Sequence, residues 1–237
     1  LHVRSRRQRQ MCIRDSPSTR DLYAVSRALE DHHIDALLVI GGYSAYEGIY
    51  TMMTERDRYP AFRIPTVCIP ASIDNNLPGS ELSIGTDTAL NVIVEAMDKI
   101  KESGIASRRC FVVETMGRDC GYLALMSGIA AGAERIYTNE DGISLDDLAN
   151  DVHWLRESFA HGRRLFLAVR NENASHNYTT DFIARLLEEE SHGMYDVRQV
   201  VLGHMQQGGS PSPFDRLLAN RLGYRALNLI DLSLIHI

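Results

Sequence analysis

Short apolar runs that do not alternate, each followed by a helical pattern, constrain the fold of this chain more than any other feature. Residues 36–40 (ALLVI), 66–69 (TVCI), 109–114 (RCFVVE), 134–138, 165–169 and 199–202 read as strands covered on both faces. A half-exposed strand would show a polar residue at every second position. Between the runs, Leu90, Ile93, Met97 and Ile100 make one helical stripe, and Leu145, Leu148, Val152, Leu155 and Phe159 make another. Ser144 with Asp147 has capping-box spacing, and Thr179 or Thr180 caps a helix carrying Phe182, Ile183, Leu186 and Leu187. Glu188, Glu189 and Glu190 read as a solvated face. Strands alternating with helices imply an α/β fold of βαβ units, with a mainly parallel sheet between two helical layers.

In such a sheet, ligands gather at the carboxyl ends of strands. The polar and glycine-rich segments all fall there: Gly41-Gly42, residues 71–76, residues 115–118, Asn171-Glu172 and residues 203–209. Ser72, Asp74 and Asn76 read two ways, as a turn whose side chains bond their own backbone or as a polar loop facing a ligand hydroxyl. In residues 116–118, Gly117 lets backbone approach a ligand and Arg118 can fork onto a phosphate. Gly121 lies near a helix start, whose N–H groups can receive an anion. His204 and Gln207 sit in a second glycine-rich turn with the features of an anion pocket, although a lone histidine is more often structural. Residues 210–213 (SPSP) lead into the final helix, and proline near a helix start is a cap feature. His32, His33, His176 and His192 read as surface residues, and Trp154 as packing beside its helix's stripe.

Composition removes several classes. The 237-residue chain is 44% hydrophobic and 24% charged, like ordinary globular domains. A net charge of −6 leaves no basic surplus for a nucleic-acid backbone. No apolar run approaches the roughly 20 residues that span a bilayer. Cys12, Cys68, Cys110 and Cys120 show neither CxxC nor metal spacing, which implies reduced thiols and a cytoplasmic location. Residues 1–16 are basic without apolar periodicity and lack the core of a signal peptide. They and residues 233–237 read as non-native ends, a cloning or read-assembly scar rather than a nucleic-acid arm.

Three segments together, ASIDNNLPGSELSIGTDTALN (residues 71–91), ETMGRDCGYLA (residues 114–124) and VLGHMQQGGSPSPFDRLLANRLG (residues 201–223), resemble the ATP-dependent 6-phosphofructokinase family. The resemblance runs from about residue 20 to residue 230. It implies three-layer, Rossmann-like domains whose first strands are missing here. Residues 20–85 would belong to the nucleotide-side domain, 86–205 to the sugar-phosphate domain, and 206–232 to a return segment and helix. In the family's TIDND loop, here SIDNN, Asp74 matches the proton acceptor and Asn76 replaces the second aspartate. Met116, Gly117 and Arg118 match the MGR signature. Arg109 and Arg198 match phosphate-binding arginines that serve a neighbouring half or subunit, which implies an oligomer. Glu172 matches the sugar-binding glutamate, His204 the site histidine, and Gln207 stands for the arginine of HIQR.

The family's Mg-ATP motif, GGDGS, is Gly41, Gly42, Tyr43, Ser44 and Ala45 here, so the metal-holding carboxylate is absent and no metal site is expected in this chain. Mg²⁺ and ATP would serve the parent enzyme elsewhere. These departures resemble the C-terminal half of the double-length, eukaryotic-type enzyme, whose duplicated sugar site takes fructose 2,6-bisphosphate. Three roles therefore stand: an effector-binding half, a catalytic segment with Asp74 as base, and a non-catalytic assembly half. The expected partners are a phosphorylated fructose, an N-terminal catalytic half and further subunits.

Overall fold

The computed structural model describes residues 19–104 and 107–235. Cys12 and most of the two ends read as non-native lie outside them, while residues 233–235 continue the last helix. The chain divides into two compact units.

The larger unit, residues 73–76 and 81–215, is an α/β sandwich of three layers. Its strands are β3 (Arg109–Thr115), β4 (Arg135–Tyr137), β5 (Leu165–Asn171) and β6 (Asp196–Val201), all parallel in the order β4-β5-β3-β6. Side chains of β3 leave the sheet alternately. Phe111 and Val113 join Leu167 and Val169 against α3 (Thr86–Gly104) and α4 (Tyr122–Ala131), with Ile93, Met97 and Leu123 from the helices. Cys110 and Val112 join Phe166 and Ala168 against α5 (Leu145–Ala160) and α6 (Thr180–Glu190), with Leu148, Leu155, Phe159, Ile183 and Leu187. Both faces of the central strands are thereby apolar, as their unbroken hydrophobic runs require.

Local chemistry sets the helix ends. Ser144 and Asp147 cap α5 reciprocally, and the Thr179 side chain accepts from Phe182 N at the start of α6. The start of α3 is capped from a distance: the carboxylate of Asp215 accepts from Gly85 N and Thr88 N, each at 2.8 Å.

One expectation changes, and another gains a detail. β6 spans Asp196–Val201, starting three residues before the apolar run and ending one residue before its end. It is an edge strand, so its polar residues face solvent and hide the strand from a hydrophobicity reading. Glu188, exposed as expected, also accepts a hydrogen bond from Val197 N of that edge strand.

The smaller unit comprises residues 19–72, 77–80 and 216–235 of the described chain. It holds α1 (Thr19–Asp31), β1 (Leu37–Gly41), α2 (Tyr43–Thr54) and β2 (Thr66–Pro70). β1 and β2 pair in parallel, with Leu37 opposite Thr66 and Gly41 opposite Pro70. Leu22, Leu29 and Phe62 form its buried cluster. The last helix, α7 (Pro213–Ile235), starts in the larger unit and continues into the smaller one. No helix among the described residues is long and apolar enough to cross a membrane.

Candidate functional site

Three loops of the larger unit meet beyond the carboxyl ends of β3, β5 and β6. After β3 the chain turns through Met116, Gly117 and Arg118. Gly117 has φ +137° and Arg118 has φ +50°, so two consecutive residues take conformations that turn their N–H groups the same way. The Glu172 carboxylate, one residue past β5, accepts from both: Oε1 lies 3.2 Å from Gly117 N and 2.8 Å from Arg118 N. A Cβ at residue 117 would lie 2.4 Å from the Cys120 carbonyl oxygen, so only glycine fits.

The third loop is the short 3₁₀ turn Gly203–Gln207 after β6. His204 and Gln207 are exposed in it, while Gln206 is 1% exposed. Gln206 accepts from Met116 N at 3.1 Å and donates to the Gly203 carbonyl at 3.0 Å. The residue that joins this turn to the Met116 loop is therefore Gln206, which sequence reasoning passed over in favour of its neighbour.

Asp74 faces this group. Burial pushes its carboxyl above the usual carboxylate range; the Arg118 guanidinium draws it back down, and the charges of Glu172 and Asp119 add to the rise. Asn75 has φ +51° and holds its own turn, accepting from Ser83 N at 2.9 Å and donating to the Glu81 carbonyl at 3.2 Å. The turn reading of this segment thus applies to Asn75. Among the described residues, Asn76 Oδ1 is buried without a hydrogen-bond partner, which suits it to accept from a ligand hydroxyl.

The helix start after the MGR turn is not open to an anion. Gly121 N donates to both oxygens of Glu140, at 2.8 and 3.0 Å. Glu140 already fills the seat that the sequence offered to a ligand. No spacing signal marks this contact.

The two remaining arginines lie elsewhere. Arg109 opens β3, whose far end carries Met116, a separation of roughly 20 Å at the usual rise of a strand. Arg109 donates to the Ser103 carbonyl at 3.2 Å, and Arg198 donates to the Val197 carbonyl at 2.9 Å. Arg109 pairs with Asp196 and Arg198 with Phe111, so both arginines project from one face of the sheet. Within this chain they do not join Asp74, Arg118 and Glu172.

In the smaller unit, residues 41–44 lead from β1 into α2, and Gly42 is the residue before that helix. Ser72 packs beside this loop: a Cβ on Gly42 would lie 3.2 Å from the Ser72 Cβ. Residues 41–45 carry no carboxylate, and Tyr43 offers a 56%-exposed phenol where a magnesium ion would need hard anionic oxygens. This loop does not fit a magnesium–nucleotide complex. No cluster of three or more His, Cys, Asp or Glu able to hold a metal occurs among the described residues.

Residues 5–230 match the phosphofructokinase family. The chain belongs to that family. The human platelet-type ATP-dependent 6-phosphofructokinase is 46% identical over 214 residues, which are 90% of this chain and 27% of that protein. The mouse muscle-type enzyme is 46% identical over 88% of this chain and 27% of its own length. This phosphofructokinase chain therefore spans about a quarter of the curated relatives it matches. Among solved structures, phosphofructokinase from Pichia pastoris in the T-state superposes with a TM-score of 0.85 at 41% identity, covering 89% of this chain and 24% of that one. Phosphofructokinase from Saccharomyces cerevisiae gives 0.87 at 38% identity, covering 91% of this chain and 29% of that one. A pyrophosphate-dependent phosphofructokinase from Marinobacter aquaeolei, 20% identical with a TM-score of 0.70, shares the fold.

Proposed function

We propose that this chain is the effector-binding, C-terminal half of a double-length 6-phosphofructokinase. The parent would transfer the γ-phosphoryl group of Mg-ATP to fructose 6-phosphate, giving ADP and fructose 1,6-bisphosphate in glycolysis, in the cytoplasm. This half would take a phosphorylated fructose of the 2,6-bisphosphate type. The observation that carries the reading is the 116–118 turn, held by Glu172 and Gln206 and faced by the half-buried Asp74 carboxylate, whose loop also carries the orphaned amide oxygen of Asn76. That cluster of loops coexists with a residue 41–45 loop lacking a carboxylate.

In this reading Arg118 and His204 hold a phosphate, and Asp74, Asn76 and Glu172 face sugar hydroxyls. Arg109 and Arg198 serve the equivalent site of a neighbouring half or subunit, as their place at the other end of the sheet favours. The test is calorimetric titration of fructose 2,6-bisphosphate into the full-length protein that contains this chain. Arg118→Ala is expected to weaken one class of sites by roughly 10- to 100-fold, the scale of a lost charged hydrogen-bond pair. A properly folded parent that binds no sugar bisphosphate would overturn the reading.

One observation favours a second role. A carboxyl raised above its usual range is a better proton acceptor, and Asp74 is raised by burial. As a catalytic segment, the chain would use Asp74 to take the proton of the attacking sugar hydroxyl. Asp74→Ala in the parent would then lower turnover by about 100-fold or more; full turnover would exclude this role.

A further inference from the structure

Among the described residues Arg170 is the largest fully buried side chain, at 1% exposure, and its guanidinium is used on every edge. Nη1 lies 2.9 Å from Glu114 Oε2 and 3.0 Å from the main-chain oxygen of Glu172. Nη2 donates to the Ser175 carbonyl at 2.6 Å, and Nε to the Tyr178 carbonyl at 3.2 Å. The Glu114 carboxylate also accepts from the Thr180 hydroxyl. Packing alone does not call for this residue, because an apolar side chain of similar volume fills a core without desolvating a charge. What the planar fork supplies is geometry: several acceptors fixed at once, which the single point of a lysine ammonium cannot reproduce.

All three carbonyls belong to the 172–178 segment, and the first of them is that of Glu172. Glu172 is thus gripped at both ends, its carbonyl by Arg170 and its carboxylate by Gly117 and Arg118. Glu114 stands two residues before Met116, so the contacts close a ring: end of β3, Arg170, Glu172, and back to the turn that follows β3.

We propose that Arg170 is a positioning residue for the phosphorylated-sugar site, setting Glu172 and through it the 116–118 turn without touching the ligand. The proposal rests on the function given above and specifies which buried group holds that site in shape.

The experiment is a double-mutant cycle on the full-length protein, titrated calorimetrically with fructose 2,6-bisphosphate. Arg118→Ala first identifies the class of sites that belongs to this chain. Arg170→Lys keeps the charge beside Glu114 and loses the fork. It is expected to weaken that class about tenfold, the scale of one charge-assisted hydrogen bond. With Glu172→Ala already present, Arg170→Lys is expected to weaken binding no further, since its effect passes through Glu172. A purely structural role would instead multiply the two losses. Unchanged binding by Arg170→Lys, or multiplied losses, overturns the proposal and leaves the site assignment standing. If Arg118→Ala removes no class of sites, the functional reading falls and this proposal with it. Should Arg170→Lys fail to fold, Thr180→Val, which removes one hydroxyl, carries the same cycle with an expected loss of about threefold; no loss overturns the proposal.

Discussion

Asp74 and Gly117 show the same tension at the scale of single residues: each is held in a state that favours the site over the fold. Asp74 takes up its proton more readily in the folded chain than in the unfolded one, because burial raises its carboxyl. Folding is therefore opposed near neutral pH, where the half-buried group is charged, and relieved as pH falls through the raised folded-state value. Asp74→Asn is expected to raise the thermal midpoint at pH 7 and to give no gain below about pH 4, the unfolded carboxylate range. A midpoint unchanged at pH 7 would contradict this. Gly117 stores its constraint in the backbone, with φ +137° and the Cys120 oxygen 2.4 Å from any added Cβ. Gly117→Ala should cost about 1–3 kcal/mol in denaturant unfolding. Under the proposed function it should also weaken sugar-bisphosphate binding, because the N–H groups that hold Glu172 would turn away.

Among the elements, α5 is the clearest case of a helix whose start is written locally. The Ser144 side chain accepts from Asp147 N at 3.1 Å, and Ser144 N donates to the Asp147 carboxylate at 3.0 Å. The Ser144 hydroxyl, which donates to the Asp147 carboxylate at 2.5 Å, and then the Ser144 N–H hold that carboxyl below the usual range. The unfolded chain binds that proton more tightly, so the box adds stability above about pH 4, and the gain fades as pH falls through the lowered folded-state value. Ser144→Ala should cost about 1 kcal/mol near neutral pH. The deficit should shrink in acid, which chemical denaturation at pH 7 and pH 3 would measure. A deficit of equal size at both pH values would mean that Asp147 plays no part in the cap.

At the scale of the whole molecule the two units are unequally built. β3 has hydrogen-bonded strands on both sides, and Cys110, Val112 and Val113 are fully buried. The smaller unit rests on a two-stranded sheet whose Leu38 and Ile40 are 37% and 62% exposed. Two strands with one apolar face uncovered are marginal by themselves, and their open edges invite association. In the isolated chain, amides of β1 and β2 are expected to exchange with deuterium at least about 100-fold faster than those of β3 and β5. Equal protection in the two sheets would show that the smaller unit is as stable as the larger. Rising concentration should bring aggregation, measurable by light scattering.

Much of this architecture was legible from local pattern. Hydrophobic period and caps depend on residues a few positions apart, so the strand–helix alternation, the Ser144 box and the placing of polar loops at strand ends all stood in the sequence. The motifs of residues 71–76, 116–118 and 203–209 marked where to look. What the sequence left open was which side chains meet. Gln206 and Gln207 are adjacent and chemically identical, yet only Gln206 is turned inward to Met116, a contact across 90 positions. Arg170 follows the apolar run 165–169 with no signal of its own, and only the fold brings Glu114, 56 positions away, beside it. Glu140 gave no sign that it would fill the start of α4. Such pairings are set by how strands register in the sheet, and they depend on distances that only the folded chain creates. The α/β layering and the position of the polar loops follow from neighbours along the chain, so both could be read from residue order. Tertiary structure alone decided which buried groups hold those loops in place.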